Sequence, residues 1–400
     1  MVCSKPTHDA PLTTHHPLFD VVVVGAGIGG SCAALALAQR GVRVALVEAG
    51  TMPRHKVCGE FLSPDSRGIF ARLGVEERIL AAQPNRVHSA RIVTSAQRIL
   101  EMPLPTGALA LSRFQLDSIL WDAAGAAGVT RLPQTRVLGI VRSDGEFVMT
   151  TAQGGLRARH AIAAPGRNAR WLERVGRNSE GEKRRNGEWE NGRQSVRYFG
   201  LKAHFGDVRL DSSVVELHPW RGGYCGLVRI EGGVTNLCLL SRYDIMHNKA
   251  ERSPDAFLAW LLRECPALKR RLERAQRLTP WLATGNISFG GHCPAARGVL
   301  RCGDAGGFIH PLTGDGMAMA ARSGELAAAT LAAAVRGGLR AEDVAALYEA
   351  AWRREFGTRL RWAGPLQAII TAPLLTAPAV TLLSHLPKLA RLAISNTRGR

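Results

Sequence analysis

The run FDVVVVGAGIGGSCAALALAQRGVRVALVEAG, Phe19 to Gly50, leaves little freedom in how it folds. Phe19 to Val24 is continuously apolar and rich in valine, as a parallel strand buried on both faces must be. Gly25, Gly27 and Gly30 follow in GxGxxG spacing. Gly25 permits a tight turn, Gly27 lets a pyrophosphate approach the backbone, and Gly30 lets a helix pack closely on the strand. The helix predicted from Ile28 to Arg40 offers the N–H groups of Ile28, Gly29 and Gly30, and the positive end of its dipole, to the phosphates. Gly41 ends it. A second strand, Val42 to Val47, stops at Glu48, whose carboxylate can accept hydrogen bonds from both ribose hydroxyls. GxGxxG alone is a weak signal. Strand, glycines, helix, strand and acid in this order predict a dinucleotide-binding unit, and Glu48 argues against a 2′-phosphate there. The unit does not separate NAD from FAD.

A second motif separates them. In GVLRCGDAGGFIHPLTGDGMAMAARSGELAAATLAAA, Gly298 to Ala334, a short strand (Val299 to Cys302) leads to Gly303-Asp304. Pro311-Leu312-Thr313-Gly314-Asp315-Gly316 then opens a long Ala-rich helix. This resembles the GD motif of FAD-dependent proteins of the para-hydroxybenzoate hydroxylase and geranylgeranyl reductase superfamily. The resemblance runs from about residue 19 to about residue 355. It implies that Asp304 accepts a bond from the ribityl chain and that Pro311, Gly314, Gly316 and Met317 lie along the isoalloxazine. The helix would aim its positive end at the flavin pyrimidine edge. Glycine suits such a turn because backbone must approach a flat ring with no Cβ between.

The resemblance also implies the fold. It is an α/β chain with a Rossmann-like, para-hydroxybenzoate hydroxylase-like FAD-binding domain, an inserted antiparallel β-sheet substrate domain and C-terminal helices. Residues 18–85, 105–170 and 285–355 would make the FAD-binding domain, and 86–104 with 195–284 the substrate domain. Residues 1–17 read as a disordered tail, 173–194 as a mobile charged insertion, and 356–400 as an apolar helical segment. Arg113, in LALSRFQLDSILWDAAGAAGV, matches the family's arginine on the helix across the FAD. Val137 falls where the family places a backbone contact to adenine. The hydroxylase branch has an Asp-Gly pair where this chain has Pro165-Gly166, followed by Arg167. That departure puts the usual use of NADPH or NADH as electron donor in doubt and leaves the FAD site intact.

Between residues 196 and 243 four strand-like stretches predict an antiparallel meander on which substrate would lie. Lys202 and His204 share one face of their strand, because side chains alternate. Tyr224 and Cys225 flank a glycine-rich turn and are further candidates for the pocket wall. Ser253 to Arg274 reads as helical, at the pocket rim.

RHKVCGEFLSP, Arg54 to Pro64, begins six residues after Glu48. Geranylgeranyl reductase-like proteins have a Lys-x-Cys-Gly signature there, matched by Lys56, Cys58 and Gly59. By that resemblance Arg54 contacts FAD, Cys58 lies beside the ring, and Phe61 lines the substrate side. Two chemistries compete. In one, reduced FAD reduces a C=C bond of a polyprenyl or polyketide-like substrate, with Cys58, Glu60 or His310 supplying the proton. In the other, a flavin hydroperoxide hydroxylates an aromatic or polyketide substrate. A non-catalytic flavin-binding protein is the reading from another class. The Tyr-x-Trp-x-Phe-Pro signature of the reductases is absent, the matching region being GGYCGLVRI, and so is the Trp-x-Trp-x-Ile-Pro of flavin halogenases.

Composition narrows the partners. The formal charge is +19, but the excess is arginine scattered along the chain, with no aromatic-interleaved basic motif for nucleic acid. The eight cysteines show no CxxC or zinc spacing, so no metal site is expected. With no secretory signal, the chain reads as reduced and cytoplasmic. The apolar stretch 359–394, broken by Pro365, Pro373, Pro378 and Pro387, suits either an interfacial helix on anionic lipid, a peripheral membrane contact, or a lid over the protein's own pocket. Both suit an apolar small-molecule substrate.

Overall fold

A computed structural model describes residues 18–167, 196–249, 253–287, 289, 293–308 and 310–371. The N-terminal tail, the charged insertion at 173–194 and residues 372–400 lie outside the described residues. The elements run in chain order as β1 (Leu18–Val24), α1 (Ile28–Ala38), β2 (Val44–Val47), β3 (Phe61–Leu62), α2 (Pro64–Arg72), α3 (Glu76–Ala81), β4 (Asn85–Val93), β5 (Ile99–Ala110) and α4 (Arg113–Ala126). Next come β6 (Thr130–Leu132), β7 (Val137–Ser143), β8 (Glu146–Thr151), β9 (Gly154–Ala163), β10 (Tyr198–Gly206), β11 (Val214–Trp220), β12 (Gly223–Arg229) and β13 (Thr235–Arg242). The chain closes with α5 (Tyr243–Lys249), α6 (Pro254–Glu264), α7 (Pro266–Leu272), β14 (Gln276–Arg277), β15 (Leu282–Ile287), β16 (Ala295–Ala296), β17 (Val299–Arg301), α8 (Gly316–Gly337) and α9 (Ala341–Thr371).

Two sheets result. The first runs β16-β17-β9-β1-β2-β6, with β7 and β8 attached to β9. Its central strands β17, β9, β1, β2 and β6 are parallel, so both faces must be covered. α1, α4 and α8 cover one face in a core that includes Leu35, Leu46, Leu116, Leu331 and Tyr348. The β7–β8 hairpin packs Ile140, Phe147 and Met149 on the other. Asp144 and Gly145, at φ +51° and +81°, make its tight turn. The two chain ends meet at α1 and α8. A Cβ on Gly324 of α8 would collide with the carbonyl of Gly29 on α1, so the helices touch backbone to backbone.

The second sheet runs β14-β10-β13-β12-β11-β4-β5-β3, with β15 on β10. It differs from the expected meander: β10 pairs with β13, not with its sequence neighbour β11, and β11 pairs in parallel with β4. The register supplies the reason. All of β10 from Tyr198 to Phe205 matches β13, while β4 covers the free edge of β11. Phe61–Leu62 also belongs to this sheet, through its pairing with the end of β5 at Leu109 and Ala110. One face carries Leu201, Ala203, Phe205, Leu237, Leu239 and Leu227 and packs on α6 and α7. On that face buried Glu216 gathers Arg271 (2.8 Å), His218 (2.9 Å) and Arg91 (3.2 Å), tying β11 to α7 and β4. Burial alone would raise its pKa; His218 and Arg271 outweigh that and hold it at about 2. The opposite face, with Lys202, His204, Tyr224, Asn236 and Cys238, turns to the first sheet's domain.

α9 continues through Pro365, which removes one hydrogen bond without ending the helix. Arg359 is buried, its guanidinium 2.6 Å from Asp315, which anchors the start of the apolar stretch to the fold. Among the described residues no helix is long and apolar enough to cross a membrane.

The α1–α8 contact makes a simple test. Gly324→Ala should destabilise the protein by about 1–3 kcal/mol, because the added methyl meets rigid backbone. Gly337→Ala, in the same helix with nothing within 4 Å of the added carbon, should be neutral or stabilising by up to about 1 kcal/mol. Urea unfolding of both variants checks the contrast.

Candidate active site

The dinucleotide cradle forms as its sequence requires. Gly25 has φ +104°, and a Cβ there would strike the Ala164 carbonyl. A Cβ on Gly30 would strike the carbonyl of Gly25. Gly27 is different: a Cβ there would meet nothing nearer than the Lys56 ammonium, at 3.9 Å. Gly27 also caps α1, with no side chain on the helix's first N–H groups. This is the open mouth of an anion site. Buried Glu48 ends β2 and accepts from Ala26 N (3.0 Å), Gly50 N (3.0 Å) and Arg54 Nη2 (2.9 Å). Thr135 N bonds the Glu48 carbonyl at 2.8 Å, which carries the chain into Val137 at the start of β7 beside the ribose acid.

The second ring of charge was only partly visible in the sequence. Asp117, fully buried, accepts from Lys56 Nζ (2.7 Å) and from Arg113 Nε (3.0 Å) and Nη2 (2.9 Å). Burial opposes its charge, but Arg113 and then Lys56 hold its carboxyl below the usual range. Asp117 thus fixes two cations at the GxGxxG mouth. Its four-residue offset from Arg113 on one helix face was the available signal.

Asp304 follows β17 in a 3₁₀ turn, 303–305. Burial pushes its carboxyl up, against the opposing charges of Arg167 and Arg113. Arg167 Nε is 3.4 Å from Asp304, and its guanidinium stacks 4.7 Å over the Phe308 ring. The residue after the departed Asp-Gly pair therefore turns a cation toward the GD aspartate. An opening beside Asp304 is lined by Gly303, Gly307, Gly316, Met319 and Ala320, at the N-terminus of α8. Gly314 has φ +68°, and a Cβ there would press on the Phe61 ring at 3.0 Å. Pro311 opens the turn and Met317 is buried in the first turn of α8. Asp315 was not foreseen. It is buried, accepts from Ser63 Oγ (2.9 Å) and Arg359 Nη1 (2.6 Å), and ties the loop before α8 to the loop before α2.

Glu60 brings three expected site residues together. It is fully buried and sits at φ +56°. One carboxylate oxygen pairs with Lys202 Nζ and accepts from Arg113 N (2.7 Å) at the N-terminus of α4. The other contacts His204 Nε2 at 2.7 Å. Burial raises its pKa, yet the His204 hydrogen bond and the Lys202 charge prevail, so the net shift is downward and the carboxylate is ionised at neutral pH. His55, exposed, stands edge-on to His204 with ring centres 5.3 Å apart. Ligand-type atoms of His55, Glu60 and His204 lie within 4.8 Å of one another, but the Lys202 ammonium already neutralises the one carboxylate a cation would need.

Cys58 lies two residues before Glu60 and is half-buried; its sulfur accepts from Glu60 N (3.5 Å) and lies in the neighbourhood of the Arg113 guanidinium. Asn236 on β13 holds the Cys58 carbonyl at 3.1 Å. His310 is buried among Phe289 (4.4 Å between ring centres), Tyr224 (6.1 Å) and Tyr198 (6.4 Å). Burial drives its pKa to about 3, so it is neutral at any ordinary pH. Tyr224 shares this wall. Cys225 does not: alternation puts it on the opposite face, paired with Leu239 and packed with Leu227, Phe257 and Leu268, so it is no part of that wall.

The residues present fit FAD. The glycine cradle with Lys56 and Arg113 matches a pyrophosphate, Glu48 a ribose, Asp304 a ribityl chain, and Gly314–Gly316 a flat ring. Gly27→Val should abolish FAD binding while leaving the unfolding midpoint within about 1 kcal/mol of wild type, since its side chain enters only the open mouth. FAD fluorescence quenching and urea unfolding measure the two effects separately.

The family described as FAD binding domain matches residues 19–196. The chain is 22% identical over 335 residues to a 1H-pyrrole-2-carbonyl-[peptidyl-carrier protein] brominase of Pseudoalteromonas luteoviolacea, covering 80% of this chain and 78% of that protein. It is 26% identical over 323 residues to a digeranylgeranylglycerophospholipid reductase of Thermoplasma volcanium, covering 78% and 77%. A solved flavin-dependent brominase superposes with a TM-score of 0.79 at 19% identity, over 95% of this chain and 93% of that one, which establishes the shared fold. Residues 19–196 belong to the FAD binding domain family, and the chain is an FAD-dependent oxidoreductase that shares its fold with geranylgeranyl reductase-like proteins and flavin halogenases.

Proposed function

We propose that the protein reduces a carbon–carbon double bond in an apolar, polyprenyl- or polyketide-like molecule, with NADPH or NADH as the electron donor. The observation that carries this reading is an aromatic and aliphatic cluster on the sheet face that turns to the FAD-binding domain. Tyr198, Tyr224, Leu240 and Ile287 are buried there with Phe289, Phe308 and Leu312 packed on them, and His310 within the wall is neutral. An apolar chain can lie against such a surface, and a charged one would lose its hydration without compensation.

Bound FAD supplies the two-electron chemistry. The chain's own residues place and protonate the substrate. Phe61 and Tyr224 bound the apolar space. Addition of hydride to one alkene carbon requires a proton at the other, and Cys58 is the donor best placed to give it. Its sulfur lies at the inner end of the Lys-x-Cys-Gly loop, beside the Arg113 guanidinium. Glu60 is a poor donor because its partners keep it ionised, and His310 because burial denies it the charged form from which it would give a proton. Lys202 and His204 act through Glu60.

A second reading, monooxygenation of an aromatic or polyketide substrate, draws support from the FAD binding domain match at 19–196 and from the likeness to the brominase fold. The aromatic wall would serve it equally.

The two part on mass and oxygen. Dithionite-reduced protein is incubated with a polyprenyl alcohol and with an aromatic polyketide, with and without air and bromide. A product heavier by two hydrogens, formed without air, is expected. A product gaining oxygen or bromine only in air contradicts the reductase reading. Under the productive condition Cys58→Ala should keep FAD yet lose about a hundredfold in turnover. Unchanged turnover would leave Cys58 a packing residue.

A further inference from the structure

We propose that His55, His204, Glu60 and Lys202 form a proton conduit from solvent to the inner wall of the flavin chamber, where Cys58 stands. The four residues are graded in exposure. His55 is at the surface, His204 is 5% exposed, Glu60 is fully buried, and Lys202 is 1% exposed. The steps from His55 through His204 and Glu60 to Lys202 are each within hydrogen-bond or one-water reach. A ring nitrogen of His55, one of His204 and a Glu60 oxygen lie within 4.8 Å of one another, a span one water bridges. His204 Nε2 is 2.7 Å from one Glu60 oxygen, and Lys202 Nζ is hydrogen-bonded to the other. At the inner end, the Glu60 amide is 3.5 Å from the Cys58 sulfur, and Lys202 lies cross-strand from Cys238.

A purely structural ion pair would need only Glu60 and Lys202. Here the second carboxylate oxygen is given to a titratable ring, and that ring faces another that reaches water. The charged groups around His55 are Lys202 and His204 on β10, Glu60 on its own loop, and Glu231 in the turn after β12. Burial and the Lys202 charge hold the His55 pKa below its ordinary value, so it is a neutral base that can take up and release a proton at neutral pH.

The transfer balances. Water gives a proton to His55 and keeps hydroxide, which buffer neutralises. His55 passes a proton to His204, and His204 passes its Nε2 proton to Glu60. Lys202 first releases one toward Cys58, and the amine so formed takes the proton that Glu60 has just received, so Glu60 holds it only in passing and is ionised at rest. One proton enters, one leaves, and all four residues regain their starting charge.

The inference rests on the flavoprotein reading, because the conduit needs a proton-consuming centre. The test therefore checks FAD first. Holoprotein in weak buffer is photoreduced with a laser flash, using a deazaflavin and EDTA as the reductant. Bleaching of the flavin band and the colour of a pH-indicator dye are followed together. Wild type should take up protons in step with bleaching. His55→Ala should bind FAD and bleach as wild type does, with proton uptake slower by at least about tenfold and restored by added imidazole. The conduit is overturned if His55→Ala takes up protons as fast as wild type, or if uptake slows and imidazole does not restore it. Failure to bind or bleach FAD in wild type would instead overturn the flavoprotein reading. His55 is exposed and makes no buried hydrogen bond, so loss of fold does not confound the variant; an unchanged urea midpoint verifies this.

Discussion

One buried carboxylate joins the two halves of this molecule. Glu60 reaches from the Lys-x-Cys-Gly loop to Lys202 and His204 on the second sheet and to the first N–H of α4. A carboxylate so deep is costly unless every lone pair is met, and removing one partner of such a pair typically costs about 3–5 kcal/mol. Its left-handed backbone, φ +56°, persists because those bonds over-determine it. The geometry of the loop follows from that anchor. Upstream, Arg54 and Lys56 turn to the dinucleotide side, on Glu48 and Asp117. Downstream, Phe61 enters the second sheet and packs under Gly314.

A second buried acid completes the frame. Asp315 links Ser63, just past the same loop, to Arg359 of α9. The turn expected to face the isoalloxazine is therefore held from both ends of the chain. The cations at the cradle mouth are arranged on the same plan. Asp117 holds Lys56 and Arg113 in place, so the site presents positive charge without free, mobile side chains. The formal +19 of the chain is then background, and the functional charge is local.

What could be read from the sequence was what local spacing determines. GxGxxG, the acid after β2 and the Gly-Asp turn each need particular residues at fixed offsets, and the structure builds a cradle from each. Alternation puts Lys202 and His204 on one face, and both reach Glu60. Alternation also removes Cys225, and the sequence showed Tyr224 and Cys225 only as neighbours of a turn. The partner of β10 was not legible, because antiparallel strands of similar composition can pair in more than one order and only the register from Tyr198 to Phe205 decides. Nor was the meeting of Glu60 with two β10 residues, 142 and 144 positions away, since nothing local records so distant a pairing. Nor was the pairing of Arg359, at the start of the apolar stretch, with Asp315, which lies in another motif.

The account stands on Glu60 acting as the tie between the cofactor loop and the substrate sheet. The direct measurement is FAD affinity together with urea unfolding for Glu60→Gln, which keeps shape and removes charge. Loss of about 3 kcal/mol in stability, with FAD affinity weakened by tenfold or more, is the predicted result. A variant that unfolds at the wild-type midpoint and holds FAD as tightly would contradict it.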